Sequence, residues 1–339
     1  MARSVLFLPL LLLTGARALT PSKGPVAVTG TTGKLGRQVI QTLVNHGYSV
    51  NALLRHEVCS ADDAQDASPP AIAARIAKLP GVTLIRGDVT DRASLTPLVA
   101  GCTAVIAAHG AARQRKLKDL WTDATADQAH SKNVNYAGIA HLIDASRASG
   151  TVERIVRVTG KGETPWSVPS ILINLAGSMA KAWNYEGEML LRSQHDIAYT
   201  IVRPGMMSTP PAGGDGGEGN GTLALRDDGG DLKVTAIAHA QVADLCVTSL
   251  GYPNAARSTL TAMLVSDGVG AKSWAPLLSE VEPDRRHFVP SLLAEHERAV
   301  RLGGGGLVAL VALATGAAGL LASAVLRALW GLLRRMLQL

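Results

Sequence analysis

The nine residues VTGTTGKLG, Val28 to Gly36, constrain the fold more than any other stretch of this chain. A short apolar run, Pro25 to Val28, leads into them, and an amphipathic run with Val39, Ile40, Leu43 and Val44 leads out. That order is strand, glycine-rich turn, helix. Gly30, Gly33 and Gly36 recur at every third position, and each has a physical task. They bend the chain tightly, let backbone approach a pyrophosphate, and seat the helix close on the strand. The helix start then offers unpaired N–H groups and the positive end of its dipole to phosphates. In a chain holding 35 glycines, it is the strand before and the helix after that make these three informative.

Strand and helix patterns keep alternating. Ser49–Leu54, Val82–Arg86, Ala104–Ala108, Ile155–Val158 and Tyr199–Val202 read as strands. Ala71–Leu79, Arg92–Ala100 and Asn135–Ser149 read as helices, and Ile171–Arg192 as one long helix. The alternation predicts an α/β fold, a Rossmann-type doubly wound parallel sheet with its ligand at the carboxyl edge of the strands. Pro210–Gly230 reads as a glycine-rich loop, Ala240–Leu250 as a helix and Thr259–Val265 as a late strand. One domain over 25–265 is expected, followed by a polar helix and linker over 266–302.

Both ends lie outside that pattern. Residues 1–18 read as a signal peptide: Arg3, then the apolar run Val5–Leu13, then Ala16 and Ala18 before the cleavage point. Such a signal also forms the first half of a bipartite plastid-targeting sequence. Gly303 to Leu326 carries no charge, and Leu307–Leu326 alone reaches ~30 Å as a helix, enough to cross a bilayer. A transmembrane helix over 303–327 is therefore expected, with a basic tail over 328–339 that holds Arg334 and Arg335. The pair of signals predicts entry through the secretory pathway and residence at the membrane of the endoplasmic reticulum or of a complex plastid. Ala309, Ala312, Gly316, Gly319 and Ser323 form a small-residue stripe along which a membrane-protein partner can pack. Asn220 opens a glycosylation sequon.

Composition excludes some functions. The net charge of +6 is spread over scattered Lys and Arg with no basic run interleaved with aromatics, which argues against nucleic acid. Cys59, Cys102 and Cys246 have no metal-ligand spacing, and no metal site is expected.

Further motifs carry a resemblance. Val134-Asn135-Tyr136 precedes a helix reading LIDAS, and RIVRVTG, KAWNYEGEMLLRS, YTIVRPG and AIAHAQVADLCV follow in order. With VTGTTGKLG they resemble the atypical short-chain dehydrogenase/reductase superfamily, in its NAD(P)-binding, NmrA-like branch, from about Pro25 to Val265. The resemblance implies that Gly30, Thr32, Gly33, Lys34, Leu35 and Gly36 line the dinucleotide phosphates. It implies that Arg55 lies near the adenosine ribose and that Asp88 and Val89 flank the adenine. Ala107, Ala108 and Gly110 then pass beneath the cofactor, and Thr159, Lys161, Pro204 and Gly205 border the nicotinamide. The second strand ends NALLR, with no acid to hold a ribose 2′-hydroxyl, so Arg55 favours NADP over NAD.

One departure stands out. Enzymes of this superfamily use a Tyr with a Lys four residues later, and no Tyr in this chain has Lys at that spacing. Tyr185 is followed four residues on by Met189. Thr159 supplies the hydroxyl usually given by a serine. Lys181 and Tyr185 share a helix face in reverse order, with Glu188 three residues further on. Thr159, Tyr185 and Lys181 are the catalytic candidates, and His109 is a further donor candidate. Trp166 and Trp183 are candidates for an apolar substrate wall. Two functions follow from the resemblance. One is a membrane-anchored NADP-dependent oxidoreductase acting on a small or lipophilic organic substrate. The other is a non-catalytic NADPH-binding redox sensor or assembly factor for a membrane complex.

Overall fold

Runs such as VAVT and AVIA carry no polar alternation, and they form strands buried on both faces, β1 (Val26–Thr29) and β4 (Ala104–Ala107). The computed structural model describes residues 18–20, 23–55, 68–208, 221–227, 234–265 and 270–304. Between β1 and β4 come α1 (Lys34–Asn45), β2 (Val50–Leu54), α2 (Pro69–Ala77), β3 (Val82–Arg86) and α3 (Arg92–Val99). After β4 come α4 (Gly138–Ser149), β5 (Arg154–Val158), α5 (Val168–Ala176), α6 (Ala180–Arg192) and β6 (Ala198–Pro204). The chain continues through β7 (Met206–Ser208), β8 (Thr222–Arg226), β9 (Ala236–Ala238), α7 (His239–Leu250) and β10 (Ser258–Val265). Two short helices, α8 (Trp274–Ser279) and α9 (Leu293–Ala299), follow.

The main sheet runs β3-β2-β1-β4-β5-β6-β10-β8, and all its pairings are parallel except β10–β8. Strand order reverses beside β1, whose neighbours are β2 and β4. That reversal opens a crevice beyond the carboxyl ends of β1 and β4. Separate apolar cores cover the two faces. One is built on α1 and α7, with Val39, Leu43 and Leu245; the other on α3 and α4, with Leu95, Leu98 and Leu142. The Rossmann-type α/β architecture thus agrees with the pattern in the sequence.

Four local expectations are corrected. The single helix Ile171–Arg192 is two helices. Gly177 ends α5, and Ser178 and Met179 turn the chain at left-handed φ values of 53° and 64°. Asn174 makes the break possible, because its Oδ1 accepts from the Lys181 and Ala182 N–H groups at 2.9 and 3.3 Å and so caps α6. The helix Asn135–Ser149 begins with a π-helical turn over Lys132–Ala137. Part of the loop Pro210–Gly230 is the strand β8, since Thr222–Arg226 finds an antiparallel partner in β10. Finally, the described part of 266–302 is no free linker. Trp274, Leu278 and His296 are buried, His296 Nε2 donates to Gly162 O (2.7 Å) while its Nδ1 accepts from Asn174 Nδ2 (2.9 Å), and Tyr199 donates to Asp284 (3.0 Å).

Cys102 and Cys246 are buried free thiols, both pushed up to about 12 by burial. Residues 1–17 of the expected signal peptide, Cys59, Asn220 and the run Leu307–Leu326 lie outside the described residues. Among the described residues no helix is long and apolar enough to cross a membrane. Leu19 is docked: its N–H donates to Leu250 O and its carbonyl accepts from Tyr48 Oη, both at 2.9 Å.

Candidate functional site at the sheet reversal

The tightest backbone approach at the crevice belongs to Gly30. Its φ is +72°, and a Cβ there would sit 2.7 Å from the Ala108 carbonyl and the His109 nitrogen. Only glycine lets the ends of β1 and β4 meet this closely. Gly33 N–H closes the turn on Gly30 O at 3.0 Å, and Thr31 Oγ1 ties it to Leu53 O at the end of β2 (2.6 Å). A Cβ on Gly36 would lie 2.1 Å from Gly30 O, so this glycine seats α1 on the turn rather than facing the crevice. No side chain caps α1 and its first turn carries no acid. Its opening N–H groups therefore stay available to an anion.

Around this turn lies a cavity of about 650 Å³. Gly30, Thr32, Gly33, Lys34, Leu35, Arg55, Asp88, Val89, Ala108 and Gly110 all line it, so ten of the cofactor positions implied by the resemblance come together, and the donor candidate His109 lies among them. Gly36 and Ala107 are not among its lining residues. Pro204 and Gly205 do not reach it; a Gly205 Cβ would meet Thr235 O at 2.3 Å, so that glycine serves packing against the strand below. Arg55 is largely exposed, with its Nε 4.0 Å from Asp88 Oδ2.

The floor is held by two buried groups. His109 shares a hydrogen bond with Thr29 Oγ1 at 2.6 Å. Burial, and then the Arg157 charge, hold His109 well below the ordinary histidine range, so it is neutral at pH 7. Arg157 donates to His109 O (2.7 Å) and Asn184 Oδ1 (3.0 Å), and burial pulls its guanidinium down to about 10.

The three catalytic candidates lie elsewhere. Tyr185 is fully buried and donates to Val289 O at 2.7 Å; burial, then Glu163, pushes its phenol up to about 12. Lys181 Nζ donates to Ser170 Oγ at 2.7 Å rather than meeting Tyr185. Thr159 donates to Glu188 Oε1 at 2.5 Å. Glu188 in turn pairs with Arg203 and, at 3.1 Å, with Arg192. None of the three reaches the cavity wall. The physical reason is the C-terminal segment, whose Val289 and His296 pack where α6 and the end of β5 meet. Trp183 stacks at a tilt on Tyr136, and Trp166 bonds Glu295; neither lines the cavity.

Residues passed over in the sequence complete the wall: Arg113, Asp127, Gln128, Met207 and His239. Arg113 Nε donates to Asp127 at 2.9 Å and its Nη2 to Asp119 at 2.5 Å. Hydrogen bonds from Arg113, and then Lys116, hold Asp127 well below the usual carboxylate range. Arg113 is therefore a fixed charge already matched by carboxylates. The signal for it was topological, since the long connection from β4 to α4 must cross the carboxyl edge. Among the described residues no His, Cys, Asp and Glu cluster is placed to hold a metal.

Known proteins agree with this geometry. The sequence pattern of the NAD(P)H-binding family matches residues 30–253. An Arabidopsis thaliana protein named "Uncharacterized protein At2g37660, chloroplastic" is 28% identical over 58% of this chain and 60% of its own length. Protein TIC 62, chloroplastic, of Arabidopsis thaliana is 26% identical over 78% of this chain and 39% of its own length. The chain thus spans less than two thirds of the length of each of these relatives. Among solved structures, a short-chain dehydrogenase/reductase from Veillonella parvula in complex with NADP superposes with a TM-score of 0.51 at 13% identity, covering 74% of this chain and 98% of that one. The oxidoreductase ylbE from Lactococcus lactis gives 0.53 at 14% identity, covering 78% and 100%. The chain belongs to the NAD(P)H-binding family, and it shares the Rossmann-type fold of the short-chain dehydrogenase/reductase on which it superposes.

Proposed function

We propose that the cavity holds a nicotinamide dinucleotide, NADP(H) in preference to NAD(H), and that the protein is an oxidoreductase for a small or lipophilic organic substrate. The observation that carries this is the Gly30 cradle opening onto the uncapped start of α1. Gly30, Thr32, Gly33, Lys34 and Leu35 would hold the pyrophosphate. Asp88 and Val89 would border the adenine. Arg55, exposed and only loosely paired, would take a 2′-phosphate, for which the end of β2 offers no competing acid. When bound, the group supplies a hydride. The chain's own residues orient it: Arg157 and neutral His109 fix the floor, and Arg113 with Asp127, Gln128, Met207 and His239 shape the far end. Tyr185 has no part in proton transfer on this reading, because its hydroxyl is engaged away from the cavity.

The uncharged run Leu307–Leu326 supports anchoring to a membrane. Relatives named chloroplastic favour a plastid membrane over the endoplasmic reticulum. The small-residue stripe within the run suits a membrane-protein partner.

A second reading, a nucleotide-dependent sensor or assembly factor, is favoured by one observation: Thr159, Lys181 and Tyr185 are all engaged in internal hydrogen bonds. Fluorescence titration of the full chain with NADPH and NADH, followed by NADPH oxidation with lipid and pigment extracts, decides between them. Selective NADPH binding with turnover supports the enzyme. Binding without oxidation by any fraction, with partners retained only in the presence of nucleotide, supports the sensor. Failure to bind either nucleotide overturns both.

A further inference from the structure

The outer face of α5 is unusually apolar for a surface helix. Val168, Leu172 and Ile173 project into solvent, and Trp166 just before the helix joins them. Soluble surfaces rarely gather large apolar side chains in one place without a function. The face continues in two directions. The π-helical turn over Val300–Gly304 packs on α5, with Gly303 against Ile171, and it exposes Leu302. At the other end, Arg115 N–H donates to Ala176 O at 2.7 Å, which brings the exposed Leu117 and Trp121 alongside.

Two further observations say what covers this face. The described chain leaves it at Gly304, and the sequence that follows is uncharged up to Leu326. The rim is also basic. Arg115, Lys116, Lys118, Arg298 and Arg301 outnumber Asp123, Glu295 and Glu297, with Asp119 already paired to Arg113, and Arg298 lies over the Trp166 ring at 6.0 Å. Between Arg115 and Arg301 a second cavity, of about 590 Å³, is bordered by Leu175, Met179 and Val300. Aromatic and apolar side chains ringed by Arg and Lys match an interface with anionic lipid headgroups.

We infer that the α5 face lies on an anionic bilayer, with Trp166, Val168, Leu172 and Ile173 at headgroup depth and the arginines among the headgroups. The inference extends the anchored reading above and differs from it, because a face of this kind holds the domain to lipid whether or not residues 307–326 span. It also fixes orientation. The α5 side of the domain faces the membrane, and the edge carrying β3 points away.

The test uses the full chain in a Cys59→Ser background, with an environment-sensitive fluorophore on Ile173→Cys or, as a control at the far edge, on Lys78→Cys. The protein is combined with vesicles with or without phosphatidylglycerol, with flotation and an alkaline carbonate wash run in parallel. The expected result is a blue shift at position 173 that lipid-borne quenchers suppress, larger with phosphatidylglycerol and reduced by salt, with no change at position 78. Release by carbonate together with that shift would end the spanning reading and leave the face standing. Three results overturn the face. One is flotation with no shift at 173. Another is a shift already complete without vesicles, which would mean that residues 305–326 or a second copy cover it. The last is absence of any vesicle binding. Leu172→Glu with Ile173→Glu, checked for folding by its thermal melt, should abolish the shift reported from a Val168→Cys probe.

Discussion

The Tyr185 hydroxyl donates to the Val289 carbonyl at 2.7 Å, across more than 100 residues of sequence. In a helix where a catalytic tyrosine is expected, this phenol instead fastens the C-terminal segment to the domain. Its ring also fills the space beside Gly162, where a Cβ would sit 2.7 Å from Tyr185 Cβ. Tyr185→Phe should therefore cost about 1 kcal/mol of stability, the net worth of one hydrogen bond, with nucleotide affinity unchanged. Denaturant unfolding and an NADPH titration measure the two. A large loss of turnover with unchanged stability would return Tyr185 to the chemistry.

Gly36 makes no contact with the cavity, yet it should be among the most sensitive positions for binding. A methyl there meets Gly30 O at 2.1 Å and Thr31 Cα at 2.9 Å, both backbone. The turn can yield only by lifting α1 away from β1. Gly36→Ala should cost about 1–3 kcal/mol, as overpacking does, and weaken NADPH binding along with it. Thermal melts with and without NADPH check this; a variant with wild-type affinity would show that the α1 start is not the phosphate site.

These cases also mark what the sequence made legible. The glycine turn was readable because each glycine answers a steric demand set by local spacing, and ten of the cofactor positions that the family resemblance implied share one cavity wall. The strands were readable because β1 and β4 are buried on both faces and carry apolar runs, although β5, also buried on both faces, takes Arg154 and Arg157 inside with it. The break at Ser178–Met179 was harder to read, because its one local signal is Gly177 and a lone glycine is tolerated inside a helix. It depends on Asn174, which caps α6 from the preceding helix and bonds His296 from the far end of the chain. The roles of Tyr185, Lys181 and Thr159 were hidden for the same reason. Helical spacing places Lys181 and Tyr185, but the partners of the three come from distant parts of the chain: Val289 from the C-terminal segment, Ser170 from α5 and Glu188 from α6.

Arg55 offers a test of cofactor choice. Its guanidinium is mostly in solvent and 4.0 Å from Asp88, so it loses little in leaving that carboxylate for a phosphate. Arg55→Ala should lower the preference for NADPH over NADH by roughly tenfold, about 1.4 kcal/mol, while affinity for NADH changes little. Parallel titrations with both nucleotides give the ratio. If both affinities fall equally, Arg55 acts on a part common to the two.

The cluster around Glu188 sets an acid limit on the fold. Its carboxylate is fully buried and accepts from Thr159, Arg192 and Arg203, with Arg203 held on its other side by Glu163 at 3.0 Å. Burial alone would raise Glu188, but the Arg203 and Arg192 charges and the hydrogen bonds outweigh it, and the group is held below its ordinary value of 4.5. A carboxylate lowered in the folded state adds stability that is complete above its unfolded value and is lost as pH falls through the folded one. Asp284, close by, has the opposite sign, since burial raises it despite bonds from Thr259 and Tyr199, so it does not add to the acid loss. Wild-type stability should therefore fall once pH drops below about 4.5. Glu188→Gln leaves Arg192 and Arg203 buried with one anion fewer, and should cost about 3–5 kcal/mol at pH 7 while flattening the acid limb. Urea unfolding of both proteins from pH 7 down to about pH 2 measures this. A Glu188→Gln protein as stable as wild type at pH 7, with the same acid limb, would place the acid sensitivity elsewhere in the molecule.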